Sequence, residues 1–264
     1  MIFPPSGKNG FFIPIITRHA EIKIITNFLL KNFRMKIEIL EFVYGARKAK
    51  GLTVIIDVFR AFSVACYAYD AGAVEVIATA EVDSAFELKK KYKNSVLVGE
   101  RDEKKIAGFD LGNSPTEVLR SDLSGKTVIH TTTAGTNGLV NARNATLLLA
   151  GSLVNAAAIS EYIRSAGPEH VSLVAMGYRA CQPAEEDILC AKYIKSTISG
   201  ENRSYEKEIS ELKDNSGKRF FSRENLDFSP PTDFFLCTML NRFSFVLRAE
   251  RRPDGNIDLI RVEI

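Results

Sequence analysis

Acidic and basic side chains follow several predicted strands of this 264-residue chain, at the points where the strands end. Asp57 and Arg60 come after one apolar run, and Glu100 and Arg101 follow a second. Asp187 lies at the start of a helix that follows a later strand. An aspartate at a strand end can bind a divalent cation or attack phosphorus, and the planar fork of an arginine suits a phosphate, sulfonate or carboxylate. We therefore predict Asp57, Glu100 and Asp187 as catalytic residues.

Each of these groups also has a purely structural interpretation. Asp57 and Arg60 could cap the start of the helix that follows them, where such residues are common. Asp187 ends a run of acids, Glu185–Asp187, that could do no more than interact with the helix dipole. The sequence alone leaves both interpretations open.

The sharpest motif is a run of hydroxyls and glycines, VIHTTTAGTNG at residues 128–138, where a strand enters a helix. Free backbone N–H groups at a helix start, together with the helix dipole, attract anions. The run predicts an anion site that includes Thr131, Thr132, Thr133 and Thr136. Alternatively, these threonines only cap the helix and favour the strand. The run is not a Walker loop, because it lacks the lysine that such a loop needs.

A long polar loop, Gly99–Pro115, connects one strand to the next element and is not of low complexity. Loops of this length inside a compact domain are usually functional or disordered. Its Asp110 and Asn113 can bind a metal ion or a substrate, or can hydrogen-bond to their own backbone. The predicted substrate-binding residues are, altogether, Arg60, Arg101, Asn113, Ser114, Thr131, Thr132, Thr133, Thr136 and Asn155.

Histidine and cysteine usage limits the metal that the chain can hold. The three histidines are far apart in sequence, and the four cysteines form no CxxC pair. An HExxH zinc enzyme is therefore excluded, and a metal would be held mainly by oxygen atoms, which favours Mg²⁺. The predicted metal ligands are Asp57, Glu100 and Asp110. The few, scattered cysteines indicate free thiols in a reducing compartment, so we expect a cytoplasmic location.

Strand and helix patterns alternate repeatedly from Met35 to Ile198, which predicts a three-layer α/β/α fold with a mainly parallel, mixed central sheet. Residues Ser199–Asn225 are polar and are predicted to form a surface insertion. Two alternating segments, Phe243–Arg251 and Asn256–Ile264, predict a C-terminal antiparallel hairpin, whose edge could pair two copies as a homodimer. Because ligands of open α/β sheets bind at the carboxyl ends of strands, we expect the candidate residues at one edge of the sheet.

Charge and hydropathy suggest no macromolecular or membrane partner. The formal charge of the chain is +3. Residues 1–34 have five basic residues and one acid, a local charge of +4, so the remaining body has a charge of −1 and is nearly neutral. A neutral body gives no electrostatic reason to bind nucleic acid, and no run reaches the roughly 20 apolar residues that cross a bilayer. We predict residues 1–34 to be a poorly packed extension, or alternatively an amphipathic helix over Ile22–Phe33, and residues 35–264 to be a single domain.

The motifs together resemble those of the 2-phosphosulfolactate phosphatase family. The similar stretches are VIIDVFRA at Val54–Ala61, GERDEKKIAGFDLGNSP at Gly99–Pro115, TTTAGTNG at Thr131–Gly138, AGSLVNAAAI at Ala150–Ile159 and EEDILCA at Glu185–Ala191. They occur in the family's order, and several motifs in order are far more specific than any one of them. The chain differs from the family's usual pattern at Phe62, Ser63 and Ala134, close to the expected anion site.

The resemblance implies a magnesium-dependent phosphatase with an α/β/α fold. Its substrate would be the small anion 2-phospho-3-sulfolactate, hydrolysed to 3-sulfolactate and phosphate, a step towards coenzyme M in methanogens. Two alternatives stay open on the sequence. The chain could hydrolyse another small phosphorylated carboxylic acid, or it could be a relative that binds such anions without catalysis.

Overall fold

A ten-stranded mixed sheet forms the centre of the computed structural model, which describes residues 35–264. The strands are β1 (Lys36–Glu41), β2 (Gly51–Ile56), β3 (Glu75–Ala78), β4 (Ser95–Arg101), β5 (Lys104–Lys105), β6 (Thr127–Thr131), β7 (Ala145–Gly151), β8 (His170–Ala175), β9 (Phe245–Arg251) and β10 (Ile257–Glu263). The helices are α1 (Phe42–Lys48), α2 (Ala61–Asp70), α3 (Val82–Lys91), α4 (Pro115–Leu119), α5 (Gly135–Asn141), α6 (Ala156–Ala166), α7 (Glu185–Ile198), α8 (Glu206–Glu211) and α9 (Pro231–Cys237). The predicted extension 1–34, with its alternative helix over Ile22–Phe33, lies outside the described residues.

The strand order across the sheet is β1-β8-β2-β7-β9-β10-β3-β6-β4-β5. Strands β1, β8, β2 and β7 are parallel to one another, and so are β3, β6 and β4. The β9–β10 hairpin lies between these two groups and is antiparallel to β7 on one side and to β3 on the other. With helices on both faces, this arrangement confirms the predicted α/β fold with a mainly parallel sheet and a C-terminal antiparallel hairpin.

The two parallel half-sheets run in opposite directions, which corrects the expectation of a single edge. In a flat sheet their carboxyl ends would lie at opposite edges. Both half-sheets, however, pack against α2: Ile55 and Ala150 from one, and Val76 and Val128 from the other, belong to the same buried cluster as this helix. Residues at the carboxyl ends of β2, β4 and β6 nevertheless line one cleft, so these three strand ends lie close together.

Further helices cover the outer faces of the two half-sheets. Helix α7 packs on β8 and β2, helix α6 packs on β7 and β9, and their Ile194 and Ile159 join Ile56 in a second core cluster. Helix α3 packs on β4 and β6, where Leu88 joins Leu97 in a third. Because both faces are covered, β2 reads as a nearly continuous apolar run rather than as an alternating strand.

Several predicted elements differ from the structure. The hairpin is internal to the sheet rather than at its edge, so it does not provide the free edge on which the homodimer prediction rested. The segment Ser199–Asn225 is not only a surface insertion, because Leu212 and Phe220 are buried in the core around α7. The first strand of the alternating pattern, β1, ends at Glu41, and α1 begins directly after it at Phe42. No helix formed by residues 35–264 is long and apolar enough to cross a membrane.

Candidate active site

A small polar cleft lies where the carboxyl ends of β2, β4 and β6 meet. Among residues 35–264, six carboxyl and three guanidinium groups line it, so its formal charge is −3 when all of them are ionised. The carboxyl groups are those of Asp57, Glu100, Asp102, Glu103, Glu186 and Asp187, and the guanidinium groups are those of Arg60, Arg179 and Arg219. Of the other predicted residues, Asn113, Thr132 and Thr133 line it as well.

Asp57 occupies the short connection between β2 and α2. Its Oδ1 accepts a hydrogen bond from the N–H of Ala61 at 3.1 Å, so one oxygen caps α2 as the structural interpretation proposed. Gly135 at the start of α5 approaches the other oxygen, since a Cβ built on this glycine would lie 2.9 Å from Asp57 Oδ2. Burial, together with the charges of Glu100 and Glu186, raises the pKa of Asp57 to about 6.

Glu100 fixes the relative positions of two other parts of the cleft wall. Its Oε1 accepts from the N–H of Thr133 at 2.7 Å, and its Oε2 accepts from the N–H of Glu103 at 2.8 Å. Asp102 and Glu103, the turn between β4 and β5, both have positive φ, as in the tight turns of hairpins. The side chain of Glu100 therefore links the threonine turn after β6 to the β4–β5 hairpin.

Asp187 in the first turn of α7 joins the ends of two strands. Its Oδ1 accepts from the N–H of Val58 after β2 at 2.8 Å, and its Oδ2 accepts from the N–H of Gly177 after β8 at 2.9 Å. Burial raises its pKa well above the usual range for aspartate, and the nearby charges of Glu186 and Asp57 raise it further. The buried carboxyl groups of Asp57, Glu186 and Asp187 therefore lie close to one another at this end of the cleft.

Glu186 is the member of this group that the sequence analysis did not select. It is buried, and burial raises its pKa, while Arg219 opposes the rise. Its Oε2 is buried and has no hydrogen-bond partner in the described part of the chain. Native proteins rarely leave such an atom unsatisfied, so this oxygen is available to a ligand.

The threonine turn serves both structure and binding. The hydroxyl of Thr136 donates to the carbonyl of Thr132 at 2.7 Å and accepts from its N–H, so these two threonines close the turn before α5. The hydroxyl oxygen of Thr133 is instead buried without a partner within residues 35–264. Of the four predicted threonines, Thr133 is therefore the one whose hydroxyl is left for a ligand.

Asn113 reaches the cleft from the long loop, and a buried histidine holds it. His130 in β6 is fully buried, and its Nε2 lies 3.1 Å from Asn113 Oδ1. Burial lowers the pKa of His130 to about 4, so the ring is neutral near pH 7. Because the amide oxygen can only accept, Nε2 carries the proton and donates it, which leaves the amide N–H groups of Asn113 to other partners.

Arg60 lines the cleft, but its guanidinium group is used by the protein itself. It donates to Asp233 Oδ2 at 2.8 Å, to the carbonyl of Phe228 at 2.6 Å and to that of Glu103 at 3.3 Å. Both Arg60 and Asp233 are buried. The geometry thus gives Arg60 a structural role at the cleft, between α2 and α9.

The structure places Asp110 away from the cleft. Its carboxylate accepts from the N–H of Leu97 at 2.8 Å and from Lys89 at 3.0 Å, with nearly half of the side chain exposed. These hydrogen bonds stabilise the loop, in line with the alternative that we considered. The predicted metal ligands Asp57, Glu100 and Asp110 therefore do not come together as a set.

Other predicted binding residues also make internal hydrogen bonds and do not line the cleft. Arg101 donates to Thr131 Oγ1 at 3.0 Å and to the carbonyl of Ala80 at 2.7 Å. Ser114 caps α4 and donates to Asp233. Asn155 accepts from the N–H of Ser152, and Thr136 is paired with Thr132. These residues were predicted because they follow predicted strands. Polar residues at strand ends can either cap helices or bind ligands, so this position alone does not separate the two roles.

Arg219 is the main cleft residue that the sequence analysis missed. It lies in a short 3₁₀ helix, Ser216–Phe221, within a polar segment that carries no recognisable motif. Only the fold brings this segment to the strand ends. Asp102, Glu103 and Arg179 also line the cleft, and the sequence analysis selected none of them.

The acidic end of the cleft suits a divalent cation that keeps part of its coordination for water and substrate. Within residues 35–264 no group of three His, Cys, Asp or Glu side chains is arranged to hold a metal by itself. Mg²⁺ commonly binds through one or two carboxylates and completes its shell with water and phosphate oxygens. The free Oε2 of Glu186 beside Asp57 fits such a site.

Comparisons with known proteins identify a family for the chain. The family described as 2-phosphosulpholactate phosphatase matches residues 40–247. A probable 2-phosphosulfolactate phosphatase from Bacillus subtilis strain 168 is 32% identical over 213 residues, covering 79% of this chain and 90% of that protein. A protein of the same description from Carboxydothermus hydrogenoformans is 38% identical over 170 residues, covering 64% of this chain and 70% of that protein.

These matches confirm the resemblance seen in the motifs. The chain belongs to the 2-phosphosulfolactate phosphatase family. It is accordingly an enzyme of the phosphoric monoester hydrolase class, and the cleft that contains Asp57, Glu100 and Asp187 is its candidate active site.

Proposed function

We propose that the chain is a magnesium-dependent phosphatase that hydrolyses 2-phospho-3-sulfolactate to 3-sulfolactate and phosphate. The observation that carries this proposal is the composition of the cleft, whose carboxyl groups outnumber its guanidinium groups by six to three among the described residues. A cleft with this negative charge would repel a multiply charged anion unless a cation were bound first. The guanidinium groups of Arg179 and Arg219 on another part of the wall supply the positive charge that an organic anion needs.

Asp57 and Glu186 are the side chains that we propose as ligands of Mg²⁺. When bound, the cation would neutralise charge on the phosphate oxygens. The chain's own groups position the substrate: the Thr133 hydroxyl and the Asn113 amide face the cleft as donors. Phosphoryl transfer needs little beyond such positioning and charge stabilisation.

The nucleophile is either water or Asp57. Asp187 lines the cleft and burial raises its pKa, so we propose it as the group that exchanges a proton with the reacting oxygens. The stereochemistry at phosphorus, followed with a substrate whose phosphate is made chiral by oxygen isotopes, separates the two routes. Retention, from two successive displacements, supports a phospho-aspartate, and inversion, from one displacement, supports direct attack by water.

A panel of phosphorylated acids tests the proposed substrate. The full chain is assayed for phosphate release from 2-phosphosulfolactate, 2-phospholactate, phosphoglycolate and phosphoglycerate, each with Mg²⁺ and with a chelator. We expect 2-phosphosulfolactate to have the highest kcat/KM, and activity to disappear with the chelator. A preference below about tenfold, which is 1.4 kcal/mol, would favour a phosphatase for another small phosphorylated acid.

A further inference from the structure

Arg219 lies in a different part of the chain from the other arginines that line the cleft. Among the described residues that line the cleft, it alone belongs to the segment between α7 and α9. Leu212 and Phe220 of that segment pack in the core with residues of α7 and α9, and Phe220 is fully buried. The fold therefore anchors this segment firmly and extends one guanidinium group from it into the active site.

The guanidinium group of Arg219 is held in a fixed orientation. It forms an ion pair with Glu103, and its NH2 donates to the carbonyl of Phe59 at 3.1 Å. Its central carbon also lies 6.0 Å from the ring of Phe59, 5.5 Å from that of Tyr178 and 5.2 Å from that of Phe220. Three aromatic rings and two acceptors thus fix the plane of the group before any ligand arrives.

One buried donor of this oriented group remains unused. The Nε–H of Arg219 is buried and has no acceptor anywhere in residues 35–264. Arg60 offers no comparable donor, because its guanidinium group is buried against Asp233 and two backbone carbonyls. The hydroxyl of Thr133, which is linked to Arg219 through Glu100 and Glu103, is the second unused polar group on this wall.

The substrate's anionic groups differ in what they can bind. Phosphate and carboxylate oxygens are good ligands of a hard cation, which the carboxyl groups of Asp57 and Glu186 would hold. A sulfonate is a very weak base and a poor metal ligand, so it depends on N–H and O–H donors. A guanidinium group that is already oriented suits it.

We propose that Arg219, with the Thr133 hydroxyl, binds the sulfonate group of the substrate and determines the preference for a sulfonated phosphate ester. This inference rests on the proposed function, since it assigns one group of that substrate to one wall of the same cleft. Arg219 then determines specificity by binding the sulfonate end of the substrate, which is not the phosphate that is transferred.

The test compares 2-phosphosulfolactate with 2-phospholactate, which has a methyl group where the former carries its sulfonated carbon. For Arg219→Gln we expect kcat/KM on 2-phosphosulfolactate to fall by about tenfold to a hundredfold, and kcat/KM on 2-phospholactate to change by less than about twofold. Arg219→Lys keeps the charge but lacks the fork, so it should recover only part of the loss. The matched control is Arg223→Gln, an exposed arginine of the same segment, which should leave both values unchanged.

Binding measurements keep the inference testable apart from turnover. Isothermal titration should show that Arg219→Gln weakens binding of 3-sulfolactate by about tenfold or more and leaves binding of lactate unchanged. If wild type hydrolyses 2-phosphosulfolactate and Arg219→Gln keeps the full preference for it, the inference is overturned while the proposed function stands. If wild type hydrolyses none of the esters, the proposed function fails, and the titration alone decides whether Arg219 binds a sulfonate.

Discussion

At the scale of single residues, the active site brings together carboxyl groups that destabilise one another. Asp57, Glu186 and Asp187 are all buried, and burial raises the pKa of each, with nearby carboxylates adding to the rise. Such groupings are typical of functional sites, because a fold gains no stability from burying unpaired charges of one sign. The arrangement is explained if a cation binds between them.

Asp57→Asn separates the functional role of Asp57 from its capping role. The amide oxygen of asparagine can still accept from the N–H of Ala61, so the start of α2 should be kept. We expect phosphatase activity to fall by at least about a hundredfold, as when a main charge-stabilising group is lost. The melting temperature should be unchanged or higher, and a large decrease would instead support a purely structural cap.

His130 is expected to act on the substrate only through Asn113. His130→Leu removes the donor that orients the Asn113 amide, so we expect kcat/KM to fall by about tenfold in an otherwise wild-type chain. In an Asn113→Ala background the same substitution should change kcat/KM by less than about twofold. Equal effects in the two backgrounds of this double-mutant cycle would contradict a positioning role.

At the scale of elements, a buried ion pair connects the β2–α2 connection, which contains Asp57, to the C-terminal part of the fold. Arg60, at the start of α2, is paired with Asp233 in α9. Asp233 also accepts from the hydroxyl of Ser114 and from the N–H of Thr116, both at the start of α4. One carboxylate therefore fixes three elements around the cleft.

Removing that carboxylate should be costly. Asp233→Ala leaves the buried guanidinium group of Arg60 unpaired, so we expect a loss of about 3–5 kcal/mol in the free energy of unfolding. The matched control is Glu87→Ala, which breaks the exposed pair with Lys90 and should cost less than about 1 kcal/mol. Urea unfolding of the three proteins measures both, and similar costs for the two variants would refute the role assigned to Asp233.

The sequence predicted those elements and site residues that depend on local patterns. The amphipathic pattern of α3, the apolar run of β2 and the turn residues between β9 and β10 are recognisable in the sequence. Asp57 and Glu100 lie at the ends of strands, and Asp187 lies at the start of a helix that follows one. The opposite directions of the half-sheets were not predictable, because the hairpin joins each neighbour through only two residue pairs.

Residues that reach the cleft through long-range packing were not predictable either. Arg219 enters it only because Phe220 beside it is buried in the core, and the local sequence shows neither fact. Asp110, from the long loop, and Asn155, which follows β7, were also predicted, yet both hydrogen-bond to backbone groups and do not line the cleft. Strand ends therefore identify a site more reliably than they identify each of its members.

At the scale of the whole molecule, the acidic cleft should make stability depend on pH and on cations. The pKa of Asp57 is raised from 3.8 to about 6, so the folded chain binds this proton more tightly than the unfolded chain does. As pH rises from about 4 to about 6, Asp57 ionises in the unfolded chain but stays protonated in the folded chain. The unfolded state is thereby stabilised, so the metal-free protein becomes less stable. Above that range the penalty is constant.

Thermal denaturation with a chelator measures this penalty. The difference in melting temperature between Asp57→Asn and wild type should grow in favour of the variant from about pH 4 to about pH 7. Mg²⁺ should raise the melting temperature of wild type more at the higher pH, because protons compete with the cation for the same carboxylates. A difference that does not change with pH would show that Asp57 is ionised normally in the folded chain.

The most direct test of a cation-dependent anion site is the affinity of the full chain for 3-sulfolactate, titrated once with Mg²⁺ and once with a chelator. Because the cleft itself is negatively charged, we expect binding that is at least about a hundredfold tighter with Mg²⁺ than without it. Equal affinity under the two conditions would contradict the account, since the acidic residues would then serve no cation.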